Sequence, residues 1–248
     1  MRLRVVSYNI HRAIGVDRRF RPDRIVDILR HNNPDLVLLQ EVDEGVPRSR
    51  ELDLARELAR ELGFEHYAVG HNVTLRKGRY GNATLSRYPI LRERNIDLTI
   101  GHRKRRGCQH TRIQLEAPRG RRHRLEVFNL HLGLSARERD QQVGLLARSR
   151  ELTSLAGSVA CLVGGDFNDW RSLLYPLLVE ELGFRSATET GGPRSRPIAT
   201  YPSFFPQGPL DRIYFRGALQ LTWSSRARHD LARIASDHLP LIADLDVG

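Results

Sequence analysis

Two short stretches, Gly165-Asp166-Phe167-Asn168 and Ser236-Asp237-His238, decide how this chain is interpreted. The first follows the apolar run 160–163, and the second precedes the apolar run 239–245. Short apolar runs of this kind are typical of buried strands, so both stretches stand where strands begin or end. A carboxylate, an amide and an imidazole in such positions can activate a water and bind phosphoryl oxygens. The sequence therefore predicts a site for phosphoester hydrolysis.

Two more polar residues belong to apolar runs nearer the N-terminus. Asn9 lies in the run 4–10, and Glu41 lies in the run 36–42. Amide and carboxylate oxygens are the ligands that a hard ion such as Mg²⁺ prefers, and that ion keeps waters for its substrate. The pattern indicates a Mg²⁺ site, with Mn²⁺ as a substitute.

The ordered set of motifs resembles the endonuclease/exonuclease/phosphatase superfamily, and within it the small bacterial members. The further motifs that carry this resemblance are Gly81-Asn82-Ala83-Thr84-Leu85-Ser86-Arg87, Asn129-Leu130-His131-Leu132-Gly133 and Leu210-Asp211-Arg212-Ile213-Tyr214. The match runs from Asn9 to His238, nearly the whole chain. It implies an α/β (α+β) fold of the deoxyribonuclease I type, a four-layered sandwich of two facing mixed β-sheets flanked by helices.

The resemblance also implies a role for each matching residue. The expected metal ligands are Asn9, Glu41 and Asp237. The expected catalytic residues are His131, Asp166, Asn168, Asp211 and His238. The residues expected near the substrate are Asn82 and Arg106.

Within this set the chemistry assigns distinct tasks. Asp166 is expected to orient or deprotonate the attacking water, and Asn168, two residues on in an extended segment, to hold a phosphate oxygen from the same side. Asp211 is expected to fix the tautomer of His238, which contacts the phosphate.

His131 is the most discriminating position. The exonuclease III-like repair enzymes of the superfamily carry tyrosine there and an acid near the position of His11, whereas deoxyribonuclease I and the sphingomyelinases carry histidine at the first position. A histidine can donate a proton to a leaving oxygen. Cleavage at abasic sites is therefore not expected.

The net charge of +11 comes almost entirely from arginine, since Lys77 and Lys104 are the only lysines. Such a charge favours a polyanionic partner, either nucleic acid or an anionic lipid head group, although arginine also decorates ordinary solvated surfaces. Two local clusters, 103–106 and 119–124, flank the segment that leads to His131. At least one of them is expected near the mouth of the site.

Length and composition favour one domain spanning residues 1–248. No linker or low-complexity tract divides the chain, and the candidate site residues come from both halves. Two cysteines, Cys108 and Cys161, are too few for a disulfide framework. No stretch has the length and apolarity of a membrane span or a signal sequence. The expected compartment is the cytoplasm, with peripheral membrane contact through arginines left open.

Local signals predict four helices. One opens at Pro22 and ends near Asn33, and a second carries Leu54, Leu58 and Leu62 and stops at Gly63. A third starts at the capping box 135–138 and runs toward residue 156, and a fourth is capped by Asp169. Strand candidates in the second half have no helix between neighbours, which predicts antiparallel pairing.

The leading functional hypothesis is a Mg²⁺-dependent hydrolase of phosphodiesters or phosphomonoesters. A DNA or RNA nuclease is the alternative within the enzymes, and a noncatalytic module that binds a phosphorylated partner is the alternative outside them. The segment 200–206, Thr-Tyr-Pro-Ser-Phe-Phe-Pro, is predicted to form an aromatic loop beside the site.

Overall fold

Twelve strands form two six-stranded sheets that pack face to face. The computed structural model describes residues 1–117, 120–189 and 197–248. In chain order the strands are β1 (Arg2–Asn9), β2 (Leu36–Glu44), β3 (His66–Thr74), β4 (Arg79–Ser86), β5 (Ile90–Asp97), β6 (Gly107–Ala117), β7 (Arg121–His131), β8 (Ala160–Asp166), β9 (Arg185–Ser186), β10 (Asp211–Arg216), β11 (Leu219–Arg226) and β12 (Leu241–Val247). The spatial orders are β11-β12-β1-β2-β4-β3 and β5-β6-β7-β8-β10-β9.

Each sheet contains one parallel pair among antiparallel neighbours. The parallel pairs are β1 with β2 and β7 with β8. The pairs β6–β7, β8–β10 and β11–β12 are antiparallel, as predicted from the missing helices between strands in the second half. The mixed character of both sheets confirms the expected architecture.

Two helices begin and end where the sequence predicts. Helix α1 (Pro22–Asn32) stops at Asn33, which takes a left-handed conformation before Pro34. Helix α2 (Leu54–Leu62) is capped by the side chain of Asp53 and ends at the left-handed Gly63. Their apolar faces, with Ile28 and Leu58, pack on the outer side of the first sheet.

The third predicted helix is interrupted. Helix α3 (Ala136–Arg148) begins as expected, with the Ser135 hydroxyl accepting the Glu138 N–H at 3.2 Å. The backbone is extended at Ser149, whose hydroxyl accepts the Leu152 N–H and starts the separate helix α4 (Arg150–Thr153). The prediction of one helix to residue 156 is wrong because Ser149 is a better N-cap than a helix-interior residue.

The fourth predicted helix is also wrong. Asp169 accepts the Leu174 N–H at 2.8 Å, so it closes a wider loop instead of capping a regular helix at Trp170. A six-residue π-helical segment, Pro176–Glu181, follows, and the short helix α5 (Ala232–Ala235) precedes the Ser-Asp-His motif. Within the described residues, no helix has the length and apolarity needed to cross a bilayer.

Three apolar clusters separate the four layers. The central cluster lies between the sheets and includes Val5, Leu38, Val127 and Leu162. The first sheet packs on α1 and α2 through the cluster described above. The second sheet packs on α3 and the π-helical segment through a cluster that includes Phe128. The fold is thus a helix–sheet–sheet–helix sandwich.

Toward one end of the sandwich, amides replace this apolar packing. The Gln40 amide donates to Asn129 Oδ1 at 2.8 Å, which links the two sheets directly. The Asn129 amide donates to the carbonyls of Ala83 and Leu39, at 2.9 and 3.1 Å. Asn82 donates to the Asn129 carbonyl at 3.1 Å. Buried amides that are hydrogen-bonded in this way fix the separation and register of the sheets.

Candidate active site

Strand register brings polar residues from both sheets to that end. Asp166 on β8 pairs with His131 on the parallel strand β7. On its other side, Asp166 pairs with Asp211 on the antiparallel strand β10. Asn9 ends β1, beside Gln40 on β2. Because these residues stand at neighbouring strand ends, residues far apart in the sequence form one cluster.

Asp166 lies at the centre of the cluster and is buried. Its Oδ2 accepts the amide of Asn9 at 3.0 Å and lies 3.4 Å from His131 Nε2 and 3.7 Å from His238 Nε2. Its Oδ1 accepts the Asn168 N–H at 2.9 Å. One carboxylate thus faces an amide and two imidazoles drawn from the two sheets and the C-terminal motif.

A second carboxylate holds His238. Asp211 Oδ2 lies 2.8 Å from His238 Nδ1, and the Thr200 hydroxyl donates to the same oxygen at 2.5 Å. The His238 N–H donates to the Ser236 hydroxyl, which in turn donates to the Asn9 carbonyl at 2.7 Å. The expected Asp211–His238 pair is formed, and Nε2 of the ring points toward Asp166.

These surroundings shift the pKa values of the site in different directions. Burial lowers the pKa of His238, but the charges of Asp211 and Asp166 outweigh burial and raise that pKa to about 10. Burial raises the pKa of Asp166 to about 6, although the neighbouring His238 opposes the rise. Burial, followed by the charges of Arg106 and His238, lowers the pKa of His131 well below its ordinary value. Near pH 7 the free protein therefore carries imidazolium at His238 and neutral imidazole at His131.

Of the three expected metal ligands, Asn9 contacts Asp166, Asp237 directly precedes His238, and Glu41 follows Gln40 on β2. Asn9 is buried and its Oδ1 accepts the His11 N–H at 3.1 Å, which leaves a second lone pair. Asp237 is partly buried, and its carbonyl accepts the Ser203 N–H at 2.8 Å. Glu41 lies at a bulge in β2. Gln40 and Glu41 stand between Leu39 and Val42, the two β2 residues that pair with β4 on either side of the bulge.

Glu41 contributes a carboxylate to this side of the site. Its Oε2 is buried and forms no hydrogen bond in the described part of the chain, with Arg12 Nη2 3.3 Å away. The Arg12 guanidinium compensates this buried carboxylate, so the fit to a metal rests on the type of the donor atoms. Oxygen-only donors suit Mg²⁺ or Mn²⁺.

A second set of residues is also close enough to hold an ion. Asp166, Asp211 and His238 each offer an atom within 4.8 Å of the others. His238 Nδ1, however, is already bound to Asp211, and Asp166 Oδ2 already accepts the amide of Asn9. Binding of an ion is therefore favoured on the side of the site that carries Glu41.

Strained backbone is concentrated at these strand ends. His11, Arg12 and Ala13, which begin two residues after Asn9, all have left-handed φ values, as do Glu41 and Asn168. Non-glycine residues adopt this region at an energetic cost, and such residues often lie at functional sites. The strain turns the chain sharply where each strand delivers its polar side chain.

Gly165 lets Asp166 reach its position. Its φ is +141°, and a Cβ at this position would clash with the Leu130 carbonyl on the adjacent strand β7. Only glycine accommodates this approach of two backbones. The glycine of the motif thus serves the geometry of the site and not its chemistry.

Asn168 reaches the cluster by a different geometry from the one expected. It is left-handed with φ 52°, so it does not continue the extended strand. Its backbone N–H closes an Asx turn on Asp166, and its side-chain amide donates to the Leu132 carbonyl at 3.0 Å. The prediction of an extended segment after Asp166 is wrong, because the turn satisfies the Asp166 carboxylate locally.

The two residues expected near the substrate occupy different environments. Asn82 is buried, and its amide donates to the carbonyls of Gly107 and Asn129, while its Oδ1 has no partner among the described residues. Arg106 is largely buried, and its charge acts on His131. Arg106 therefore lies at the site, whereas the hydrogen bonds of Asn82 tie the sheets together beneath it.

Among the described residues of the two basic clusters, those of 103–106 lie near the site. Lys104 and Arg106 both act electrostatically on His131. Residues 121–124 begin β7, about ten residues before His131, which is roughly 30 Å along a strand. The expectation that at least one cluster lies near the mouth is confirmed for 103–106. Arg119 lies outside the described residues.

Several residues of the site have no role in the sequence-based interpretation. Tyr201 places its ring 5.0 Å from the His238 ring, and Trp170 packs edge-on against Tyr201 at 5.7 Å. Thr200 supports Asp211, and Arg12 approaches Glu41. Thr200 and Tyr201 belong to the segment 200–206 that is predicted beside the site, whereas no signal in the sequence indicates Trp170 or Arg12 as site residues.

Comparison with known proteins gives consistent matches over the whole chain. Residues 6–238 match the family model described as "Endonuclease/Exonuclease/phosphatase family". The uncharacterized protein YbhP of Escherichia coli (strain K12) is 33% identical over 255 residues, covering 98% of this chain and 95% of YbhP.

Solved structures with this fold include two from Bacteroides. An endonuclease/exonuclease/phosphatase from Bacteroides vulgatus aligns over 100% of both chains, with a TM-score of 0.79 and 19% identity. A mannosyl-6-phosphatase from Bacteroides thetaiotaomicron aligns over 98% of this chain and 99% of its own, with a TM-score of 0.74 and 18% identity. At these identities the structural matches establish the fold.

Proposed function

Because the chain belongs to the endonuclease/exonuclease/phosphatase family, we propose that it hydrolyses a phosphodiester by direct attack of water on phosphorus, assisted by Mg²⁺. Members of this family are hydrolases that act on phosphoesters. The observation that carries the proposal is the position of Asp166, which accepts the Asn9 amide and lies within 3.7 Å of two imidazoles.

The chain's own residues that would hold the ion are Glu41, Asn9 and Asp237. The fit rests on the oxygen-only donor set of these three residues. A bound Mg²⁺, or Mn²⁺ in its place, would supply positive charge to the phosphate oxygens. The other tasks fall to side chains.

Asp166 orients and deprotonates the water. Its pKa of about 6 leaves it mostly ionised at pH 7 while making it a better base than an ordinary aspartate. The water attacks phosphorus and transfers a proton to Asp166, the bond from phosphorus to the leaving oxygen breaks, and that oxygen takes a proton from solvent while Asp166 returns its own proton to solvent. A phosphodiester thereby yields a phosphomonoester and an alcohol.

His238 stabilises the charge that develops on the phosphate. As an imidazolium fixed by Asp211, it donates a charge-assisted hydrogen bond from Nε2 to a phosphate oxygen. Asn168 and His131 complete the phosphate contacts, and Arg106 adds positive charge beside His131. In this proposal Asn82 acts through the amides that hold the sheets and not by touching the substrate.

The substrate class that fits is a compact anionic diester next to an apolar group. Tyr201 and Trp170 place aromatic surface beside His238. Basic residues near the site come from the 103–106 cluster and Arg12. Together they form a small positively charged patch and not a long groove. A phosphomonoester is the alternative, since a protein of the same fold is described as a mannosyl-6-phosphatase.

The test measures hydrolysis of bis(p-nitrophenyl) phosphate in the presence of Mg²⁺, Mn²⁺ or chelator. The same assay is run with p-nitrophenyl phosphate, plasmid DNA, RNA and phosphatidylglycerol vesicles as alternative substrates. We expect metal-dependent turnover of the diesters, lost in Asp166→Asn and retained in the control Asp246→Asn on the exposed face of β12. Full activity in chelator, or turnover unaffected by Asp166→Asn, would contradict the proposal.

A nuclease is the second candidate, supported by the net charge of +11 and the aromatic rings beside the site. Rapid nicking of plasmid DNA near physiological salt without turnover of small or lipid diesters would favour it. A noncatalytic phosphate-binding module is less consistent with the assembled cluster of Asp166, Asp211 and His238.

A further inference from the structure

Large apolar side chains are exposed mainly around the candidate active site. The described part of the chain exposes nine of them, and five lie on loops beside the site strands: Leu134, Trp170, Leu173, Phe204 and Phe205. The first is 77% exposed and the two phenylalanines are 64% and 63% exposed. Exposed apolar patches of this kind mark interaction surfaces when they are contiguous.

Side-chain contacts join these loops. Arg139 donates to the Leu134 carbonyl at 2.6 Å and places its Nη2 3.7 Å from Asp169 Oδ1. The next residue, Trp170, packs on Tyr201 of the aromatic loop. The loop after His131, the loop after Asp166 and the loop before Asp211 therefore form one continuous edge.

The same edge continues to the N-terminal side of the site. The Ser203 hydroxyl donates to the Arg233 carbonyl at 3.0 Å, and the Val16 N–H donates to the Ile234 carbonyl at 2.9 Å. Val16 and Ile234 are themselves exposed apolar residues. These two residues and the five above, together called the apolar rim, lie on segments that these contacts connect to the loops of the site, and Ile234 stands four residues before His238.

Arginines alternate with the apolar rim along the sequence. Arg137 follows Leu134 by three residues, Arg171 lies between Trp170 and Leu173, and Arg233 precedes Ile234. All three arginines are exposed, and none forms a salt bridge with a described residue. Unpaired cations beside exposed apolar side chains complement a surface that presents phosphates above hydrocarbon.

We propose that the apolar rim docks on an anionic lipid bilayer, so that the candidate active site faces the lipid head groups. This inference rests on the proposed function, since it makes the phosphodiester of a lipid head group the substrate. The rim side chains enter the boundary between head groups and acyl chains, and the arginines contact lipid phosphates. A single-stranded nucleic acid fits less well, because four of the seven rim residues are aliphatic and provide no ring for base stacking.

The test compares two variants of the full-length protein. The rim variant combines Leu134→Ser, Phe204→Ser and Phe205→Ser. The control combines Leu91→Ser and Trp223→Ser, which remove the two exposed large apolar side chains that lie away from the site, on β5 and β11. Binding is measured by cosedimentation with vesicles of phosphatidylcholine alone or with phosphatidylglycerol, at low and high salt. Hydrolysis of soluble bis(p-nitrophenyl) phosphate is measured in parallel.

We expect the wild type to bind phosphatidylglycerol vesicles in a salt-sensitive manner, and the rim variant to bind at least about tenfold more weakly. The control should bind like the wild type, and both variants should keep wild-type turnover of the soluble diester. Equal losses in the two variants, or no vesicle binding by the wild type, would overturn the proposal. Rim-dependent binding of a single-stranded oligonucleotide without vesicle binding would assign the surface to nucleic acid. If the wild type does not hydrolyse the soluble diester bis(p-nitrophenyl) phosphate, that result would instead contradict the proposed function.

Discussion

Replacing Asp211 by asparagine tests whether a carboxylate keeps His238 protonated. Asp211 Oδ2 lies 2.8 Å from His238 Nδ1, and asparagine keeps the size and an oxygen for the Thr200 hydroxyl. The pKa of His238 is about 10, against an ordinary value of 6.5, even though burial alone would lower it. The carboxylates of Asp211 and Asp166 together therefore stabilise the imidazolium by about 5 kcal/mol or more.

Removing one of the two charges should remove a large part of this effect. An opposite charge at hydrogen-bonding distance typically shifts a pKa by about 1–3, so His238 in Asp211→Asn should titrate between about 7 and 9. A group whose pKa is raised is protonated below that pKa and loses its proton as the pH rises through it. The imidazolium of the variant is therefore lost at a lower pH than in the wild type, and at pH 9 its population falls by up to about 100-fold.

The assay is the pH dependence of kcat/KM for bis(p-nitrophenyl) phosphate between pH 5 and 10.5 at saturating Mg²⁺. We expect the alkaline decline to move at least one pH unit toward neutrality in Asp211→Asn and not to move in Asp246→Asn. An alkaline decline unchanged in position, with only a uniform loss of rate, would refute an electrostatic role for Asp211.

Three further predictions follow from the same geometry. Glu41→Gln should raise the Mg²⁺ concentration for half-maximal activity by about tenfold or more without changing the melting temperature, because a neutral amide attracts the ion less; a metal titration and a thermal scan check both. Asp166→Asn and His238→Ala should each lower kcat by about 10²-fold or more, and the double variant should be little worse than either, whereas multiplicative losses would show that they act separately. Glu126→Gln should destabilise the fold at pH 7 by about 3 kcal/mol, and urea titrations should show the difference shrinking as the pH falls from about 4.5 to about 2.

The Glu126 prediction rests on a buried ionic cluster away from the site. Burial raises the pKa of Glu126, but hydrogen bonds from His110, Arg112 and Arg124 lower it to about 2. A lowered pKa means that the carboxylate stabilises the fold above pH 4.5, its value when unfolded, and loses that effect as the pH falls to about 2. Glutamine at position 126 leaves the guanidinium groups of Arg112 and Arg124 without a charge partner.

The strand ends of the site were predictable from the sequence because apolar runs and their polar ends are local signals. Asp166 and His238 stand beside such runs, and both lie in the cluster as expected. The ends of α1 and α2 were predictable for the same reason, since Pro34 and Gly63 act on their own neighbourhood. The family motifs then supplied the four-layered sandwich architecture, which periodicity alone does not provide.

What the sequence did not reveal depends on contacts between distant segments. Thr200 binds Asp211 across a loop, and Asn129 links the two sheets through carbonyls of β2 and β4. The left-handed turn at Asn168 is decided by competition between an extended backbone and an Asx turn, and the turn is favoured because the Asp166 carboxylate is buried there. Such outcomes follow from tertiary packing.

The most direct test of the central claim is hydrolysis of a phosphodiester in ¹⁸O-labelled water with Mg²⁺, followed by mass spectrometry of both products. Direct attack of an Asp166-activated water on phosphorus predicts one ¹⁸O in the phosphomonoester, none in the alcohol, no labelled product in chelator, and labelled product formed at least about 10²-fold more slowly with Asp166→Asn. Label in the alcohol, or undiminished labelled phosphate from Asp166→Asn, would contradict the account.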